Sequence, residues 1–288
     1  GHQRHRRDPV RPGIAGLRLP RRVPFLALVA VLSACSGTAT GAAPSPAGSV
    51  PPAVNLTIYA AASLSRALDA AKAAYEAATP GVTLTVSTDS SSALETQIEQ
   101  GAPADVFLSA DTANPRKLVD AGLADGTPVT FARNDLTIVV PAGNPAGITS
   151  PADLARAGVK IIAAGDTVPI TTYAAQLVRN LSREPGYPAD FVTAYEANVA
   201  SKEDNVRAVV AKIELGEGDA AIVYATDAKA SGKVAMIEVP DAANVPATYD
   251  GVVIGTSGRA AAARAFLDWF AGAGGRPILA GLGFLPPS

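Results

Sequence analysis

Histidine and cysteine are nearly missing from this 288-residue chain, which has two His and one Cys. His2, His5 and Cys35 all fall in the leading segment, so everything after Cys35 contains neither residue type. That absence excludes Ser-His-Asp and Cys-His catalysis, zinc held by His or Cys, haem on His, iron–sulfur clusters and disulfides from the body of the protein. Aromatic residues are scarce at 5%, and charged residues make up only 17% against 48% hydrophobic. Such a composition belongs to a globular chain with a sizeable core, and the length suits one large domain or two medium ones. Positive charge is also in short supply. The chain carries 24 basic and 26 acidic residues, but seven of the arginines precede Cys35 together with a single acid, Asp8. The remainder keeps 17 basic against 25 acidic residues, a net of −8. An acidic body argues against nucleic acid as a partner, because phosphate neutralisation needs clustered Lys and Arg.

The leading segment reads as an address. Arg21-Arg22 precede an apolar run from Val23 to Leu32, followed by the small residues Ser33-Ala34 and then Cys35. A basic start, a short apolar run and small residues at the exit make a secretory signal over residues 1–34. The run, about ten residues, is shorter than the roughly 20 a membrane-spanning helix needs. Leu32-Ser33-Ala34-Cys35 resembles a bacterial lipobox, in which the Cys becomes the lipidated first residue of the mature protein. Residues 35–53 then read as the lipidated Cys and an uncharged tether rich in Gly, Ala, Ser, Thr and Pro. The protein is therefore expected outside the cytoplasmic membrane, anchored through Cys35.

From Val54 onward, strand and helix patterns alternate. Val54, Leu56 and Ile58 share one side of a strand, and Leu64, Leu68, Ala71 and Tyr75 recur at helical spacing until Pro80-Gly81. Val82, Leu84 and Val86 alternate with polar residues. Ser92-Ala93-Leu94-Glu95 reads as a capping box for a helix that Gly101 closes. Asn114-Pro115 reads as the start of another. Further helices are expected over Pro151–Ala157, Thr171–Leu181, Asp204–Leu215 and Arg259–Ala271, with strands at 105–109, 136–140, 159–163, 220–224, 234–239 and 252–254. Phe266, Trp269 and Phe270, spaced i, i+3, i+4, read as core. Alternation of this kind predicts an α/β protein with parallel-rich sheets flanked by helices.

Four loop-to-helix junctions carry the chemistry. They are Ala60-Ala61-Ala62-Ser63-Leu64, Asp89-Ser90-Ser91-Ser92, Asp166 to Thr172, and Ser201 to Val206. Each presents unpaired backbone N–H groups at a helix start, where the macrodipole also favours negative charge. In open α/β sheets such junctions lie at the carboxyl ends of strands, where ligands bind. A single Ser or Thr at a helix start is ordinarily only a cap. Here the hydroxyls of Thr88, Ser90, Ser91, Ser92, Ser63 and Ser65 cluster at two junctions, with no Arg or Lys within two residues of Ser63 or Ser91. A small anion held by neutral donors fits that pattern. A fully ionised dianion accepts from every donor, whereas hydrogen phosphate also needs an acceptor.

The run Ala60 to Leu64, Ser90-Ser91-Ser92, Gly101-Ala102-Pro103-Ala104-Asp105-Val106-Phe107, Asp166 to Tyr173, Glu203-Asp204-Asn205-Val206-Arg207 and Ile222-Val223-Tyr224 resemble the periplasmic molybdate-binding proteins of ATP-driven importers. The match runs in the family's order from about Val54 to Phe284. The resemblance implies a two-lobed periplasmic binding fold (type II-like), each lobe a mixed, mostly parallel sheet flanked by helices, joined by a two-strand hinge. It places lobe 1 at 54–133 plus 249–288 and lobe 2 at 134–248. Carried over residue by residue, the oxyanion ligands are Ser63 and Ser91 (hydroxyl and N–H), Ile170 and Val206 (N–H), and Tyr224 (hydroxyl). Only the resemblance promotes Tyr224. It implies no cofactor and no metal beyond molybdate or tungstate itself, and as partners a permease and an ATPase, with the receptor itself a monomer. Two features depart from the family pattern: Ile170 and Thr171 stand where small residues are common, and Asp89 precedes the serine run, where it is expected to point away from a dianion. Two registers stay open, Ser90 or Ser91 as the ligand and whether Thr171 adds its hydroxyl.

Two rival readings have their own marks. A receptor for sulfate or phosphate would use the same junctions. A carboxylate-based hydrolase would need a pair drawn from Asp105, Asp111, Asp166 and Asp219, but the body is poor in the aromatic platforms common in sugar clefts.

Overall fold

The computed structural model describes residues 53–287; the signal segment 1–34, Cys35 and the tether as far as Pro52 lie outside the described residues. The strands are β1 (Val54–Ala61), β2 (Val82–Asp89), β3 (Val106–Ser109), β4 (Ala124–Asn134), β5 (Leu136–Pro141), β6 (Ile161–Ala164), β7 (Val199–Glu203), β8 (Ala221–Tyr224), β9 (Val234–Ile237) and β10 (Ala247–Ile254). The helices are α1 (Ser65–Ala78), α2 (Ser91–Glu99), α3 (Ala113–Asp120), α4 (Pro169–Leu181), α5 (Phe191–Ala197), α6 (Val206–Glu214), α7 (Ala225–Ala230), α8 (Ala260–Ala271) and α9 (Gly275–Gly281). Single 3-10 turns occupy Ala62–Leu64 and Pro151–Ala155.

The first sheet has the order β2-β1-β3-β10-β4. β1 runs parallel to β2 and β3, and β10 runs antiparallel to both β3 and β4. In the second half, β5 pairs antiparallel with β8 and β9, and β6 pairs parallel with β7. A parallel bridge from Ile161 to Ala220, with the Ile162 N–H donating to the Ala220 carbonyl at 2.9 Å, brings these two ladders side by side. The resulting order β7-β6-β8-β5-β9 repeats the arrangement of the first sheet, with one strand antiparallel to the other four. The fold is thus α/β and two-lobed, with mixed, mostly parallel sheets. The chain crosses between halves twice, at Asp135 between β4 and β5, and on entering β10. Asn134 and Ala247 are register partners at that crossing.

Periodicity explains most of these elements. Leu56, Ile58 and Ala60 of β1 are fully buried, as are Leu68 and Ala71 of α1. Phe266 and Phe270 are buried, and Phe266 meets Tyr75 edge-on at 5.1 Å between ring centroids, so the aromatic patch of α8 is core. Several expected boundaries shift. α2 is capped by Ser90, whose side chain accepts from the Ala93 N–H, so Ser92 lies inside the helix and does not form a capping box at its start. α3 starts at Ala113 with Asn114 within it, α4 starts two residues earlier than expected, at Pro169, and Ser201–Glu203 extends as strand β7 before α6 opens at Val206. Among the described residues no helix is long and apolar enough to cross a membrane.

Candidate functional site

The carboxyl ends of β1, β2, β6, β7 and β8 converge on one small pocket. It is lined by Ala61, Ala62, Ser63, Ser90, Ser91, Ala110, Val168, Pro169, Ile170, Asn205, Val206 and Tyr224. All five residues singled out from the sequence are among them. No lining residue is an acid, a lysine or an arginine.

Local structure determines what each presents. Ser91 is the first residue of α2 and Val206 the first of α6. Pro169 opens α4 and has no N–H, so Ile170 supplies that helix's first backbone donor. N–H groups in a first turn have no carbonyl partner within the helix. Three helix N-termini and the turn after β1 therefore direct donors and positive dipole ends at the pocket. Ser91 is 1% exposed, and its Oγ accepts the Ala110 N–H at 3.0 Å, which leaves its own proton free to donate. Ser63 Oγ lies 3.0 Å from the Tyr249 hydroxyl. Asn134 Nδ2 donates to Thr226 Oγ1 at 2.7 Å and to Tyr249 Oη at 3.4 Å. Tyr249 thus holds the Ser63 side chain at the pocket and is itself held by Asn134, and either hydroxyl of the Ser63–Tyr249 pair can be the donor.

Tyr224 ends β8 and is 1% exposed, yet its hydroxyl has no hydrogen-bond partner. Burial, then the charges and phenols of Tyr249, Tyr173, Asp227 and Asp111, hold its proton far above the ordinary phenol range. Burial does the same for Tyr249, so both groups remain hydroxyls at neutral pH. The rings of Tyr173, Tyr224 and Tyr249 stack edge-on behind the site, with centroids 6.4 Å and 5.7 Å apart.

Both open registers acquire geometry. Ser90 Oγ accepts the Ala93 N–H at 3.3 Å and lies 3.5 Å from Ser92 Oγ, whereas Ser91 Oγ accepts the Ala110 N–H at 3.0 Å and has no second side-chain neighbour of that kind among the described residues. Thr171 Oγ1 donates to the carbonyls of Ala164 and Gly165, so its hydroxyl is engaged by backbone. Asp89 does not line the pocket; its Oδ1 accepts from the Ser90 N–H at 2.7 Å and from Asn205 Nδ2 at 3.1 Å. The four candidate hydrolase carboxylates stand apart in structural tasks. Asp105 accepts from the Thr57 N–H, Asp111 from Asn114, and Asp219 from the Lys160 N–H; Asp166 pairs with Lys202. Among the described residues no group of three acidic, His or Cys side chains could hold a metal ion.

Sequence reasoning missed Tyr249, Asn134 and the partner role of Asn205. Asn directly before a helix start is a favoured N-cap, so Asn205 had a local signal. Tyr249 and Asn134 had none, since each acts through contacts distant in sequence.

Two α/β halves joined by paired strands, with helix N-termini of both turned on one pocket, define a two-lobed binding protein. Residues 56–285 match the family of bacterial extracellular solute-binding proteins, and the chain belongs to that family. It is 37% identical over 261 residues to the molybdate-binding protein ModA of Mycobacterium tuberculosis (strain H37Rv), covering 90% of this chain and 95% of that protein. Against the protein of the same name from Escherichia coli (strain K12) the identity is 30% over 237 residues, or 80% and 88% of the two chains. The periplasmic molybdate-binding protein of Azotobacter vinelandii superimposes with a TM-score of 0.69 at 23% identity, covering 81% of this chain and 100% of that one. The sulfate-binding protein SubI of Mycobacterium tuberculosis H37Rv gives 0.71 at 23% identity, over 81% and 87%. At those identities the two structures share the fold.

Proposed function

We propose that this chain is the receptor of an ABC importer for molybdate, with tungstate as a second cargo, and that Ser63, Ser91, Ile170, Val206 and Tyr224 ligate the oxyanion. One observation carries the reading: a buried tyrosine hydroxyl without a partner faces a pocket whose other donors are serine hydroxyls and helix N-termini, with no charged side chain in its wall. A fully ionised tetrahedral oxyanion satisfies every such donor. Hydrogen phosphate brings a proton for which the wall offers no carboxylate. Sulfate is smaller and reaches fewer donors at once. The molybdate-binding relatives at 37% and 30% identity support the same cargo.

The lobes divide at 54–133 plus 249–288 and 134–248, and the anion bridges them, so it stabilises the closed arrangement by its greater affinity for it. The receptor works as a monomer outside the cytoplasmic membrane, held by lipidated Cys35, and passes its cargo to a membrane permease driven by an ATPase. Calorimetric titration with molybdate, tungstate, sulfate and phosphate tests the cargo. Molybdate and tungstate are expected to bind tightly; sulfate or phosphate binding as strongly as molybdate overturns the reading.

A further inference from the structure

The N-cap of one ligand-binding helix reaches across the pocket to the start of another. Asn205 caps α6, its Oδ1 accepting the Ala208 N–H at 3.1 Å. Its Nδ2 points the other way and donates to Asp89 Oδ1 at 3.1 Å. Asp89 ends β2 in the first sheet, and the same oxygen accepts the N–H of Ser90, the N-cap of α2, at 2.7 Å. One amide thus ties the first turn of α6 in one half to the first turn of α2 in the other. Two further bonds cross beside it: Arg207 Nη1 to Ser65 Oγ at 2.9 Å, and Ser92 Oγ to Thr167 Oγ1 at 3.4 Å.

We propose that Asn205 and Asp89 form a latch for the closed cleft and act as positioning residues for the bound anion. The inference rests on the oxyanion-receptor reading. The contact joins residues 116 positions apart on opposite halves, so it exists only when the halves meet. Its free energy is added to the closed state alone, and the anion, which binds that state, is released more slowly. This gives Asp89 a purpose despite its place beside an anion site. A carboxylate accepts more strongly than a neutral oxygen, and here its charge is spent on two N–H donors.

Three variants separate latching from capping and from charge. Asn205→Ser keeps an oxygen able to cap α6 but is too short to reach Asp89. Asn205→Asp keeps the cap and sets a second carboxylate against the first. The exchange Asp89→Asn with Asn205→Asp restores an amide–carboxylate pair with its roles reversed and the wild-type net charge. Molybdate release is followed by stopped-flow tyrosine fluorescence. We expect release about tenfold faster or more in Asn205→Asp, a smaller rise in Asn205→Ser, and recovery to within about threefold of wild type in the exchanged pair. Wild-type rates in both single variants, or an exchanged pair as impaired as Asn205→Asp, overturn the latch. A wild-type protein that ignores molybdate overturns the cargo reading instead. The latch is then decided by small-angle scattering without ligand: a larger radius of gyration in Asn205→Asp that the exchange reverses supports it, and identical curves sink it.

Discussion

The hydroxyl of Tyr249 lies 3.0 Å from Ser63 Oγ across 186 positions of sequence, joining the middle of β10 to the turn after β1. With Asn134 also donating to the phenol, the pair holds the Ser63 side chain in place at the pocket. Ser63→Ala removes the hydroxyl itself and Tyr249→Phe only the group that holds it. We expect Ser63→Ala, like Ser91→Ala, to weaken molybdate binding by about 1.5–3 kcal/mol, the worth of a hydrogen bond to a charged group, and Tyr249→Phe to cost less. Calorimetric titration ranks the three; unchanged affinity in both serine variants places the cargo elsewhere.

Tyr224 offers a test with opposite signs. Its buried hydroxyl has no partner in the protein, so Tyr224→Phe relieves an unsatisfied polar group at little cost in packing. The ligand-free melting temperature is expected to hold or rise while molybdate affinity falls. A drop in both would mean the hydroxyl serves the fold.

Asp227, 9% exposed, has one carboxylate oxygen without a partner, and burial pushes its pKa up to about 7 against the pull of Arg207. The unfolded value is about 3.9, so the native state holds the extra proton between those two pH values. Stability from this group is full below about pH 4 and is lost as pH rises toward 7. Asp227→Asn abolishes that loss. Its melting temperature relative to wild type should therefore climb from pH 5 to pH 8, and a difference constant with pH rules the account out.

The anchor is tested in cells. Cys35→Ala is expected to move the protein from the membrane fraction to the soluble extracytoplasmic fraction and to abolish labelling by radioactive palmitate. Retention in the membrane fraction assigns the attachment to something other than Cys35.

How much was legible follows the range of the interactions. The donors at Ser63, Ser91, Ile170 and Val206 sit at helix starts, and a helix start is written in a few neighbouring residues: small hydroxyls, Asn205, Pro169. Periodicity gave the core of β1, α1 and α8 for the same reason. β4 was not legible, since Gly126 at φ +89° and register shifts against β10 break its alternation. Nor was β7, a five-residue strand of alternating half-buried and exposed positions in a charged stretch. Tyr224 needed the family resemblance. Tyr249 and Asn134 needed the fold, because their partners lie 92 to 186 residues away.

The order β2-β1-β3-β10-β4 puts the tenth strand between the third and fourth. A ribosome delivers β1 to β4 early, yet β3 and β4 have no common neighbour until residue 254 has emerged. The half begun first is therefore completed last, after the whole of the other has been made. Its seam stays open through most of synthesis, a long-range closure of the kind that slows folding and exposes strand edges to aggregation. A chain truncated before β10 loses more than its tail: β4 is cut off from the rest of its oldest sheet.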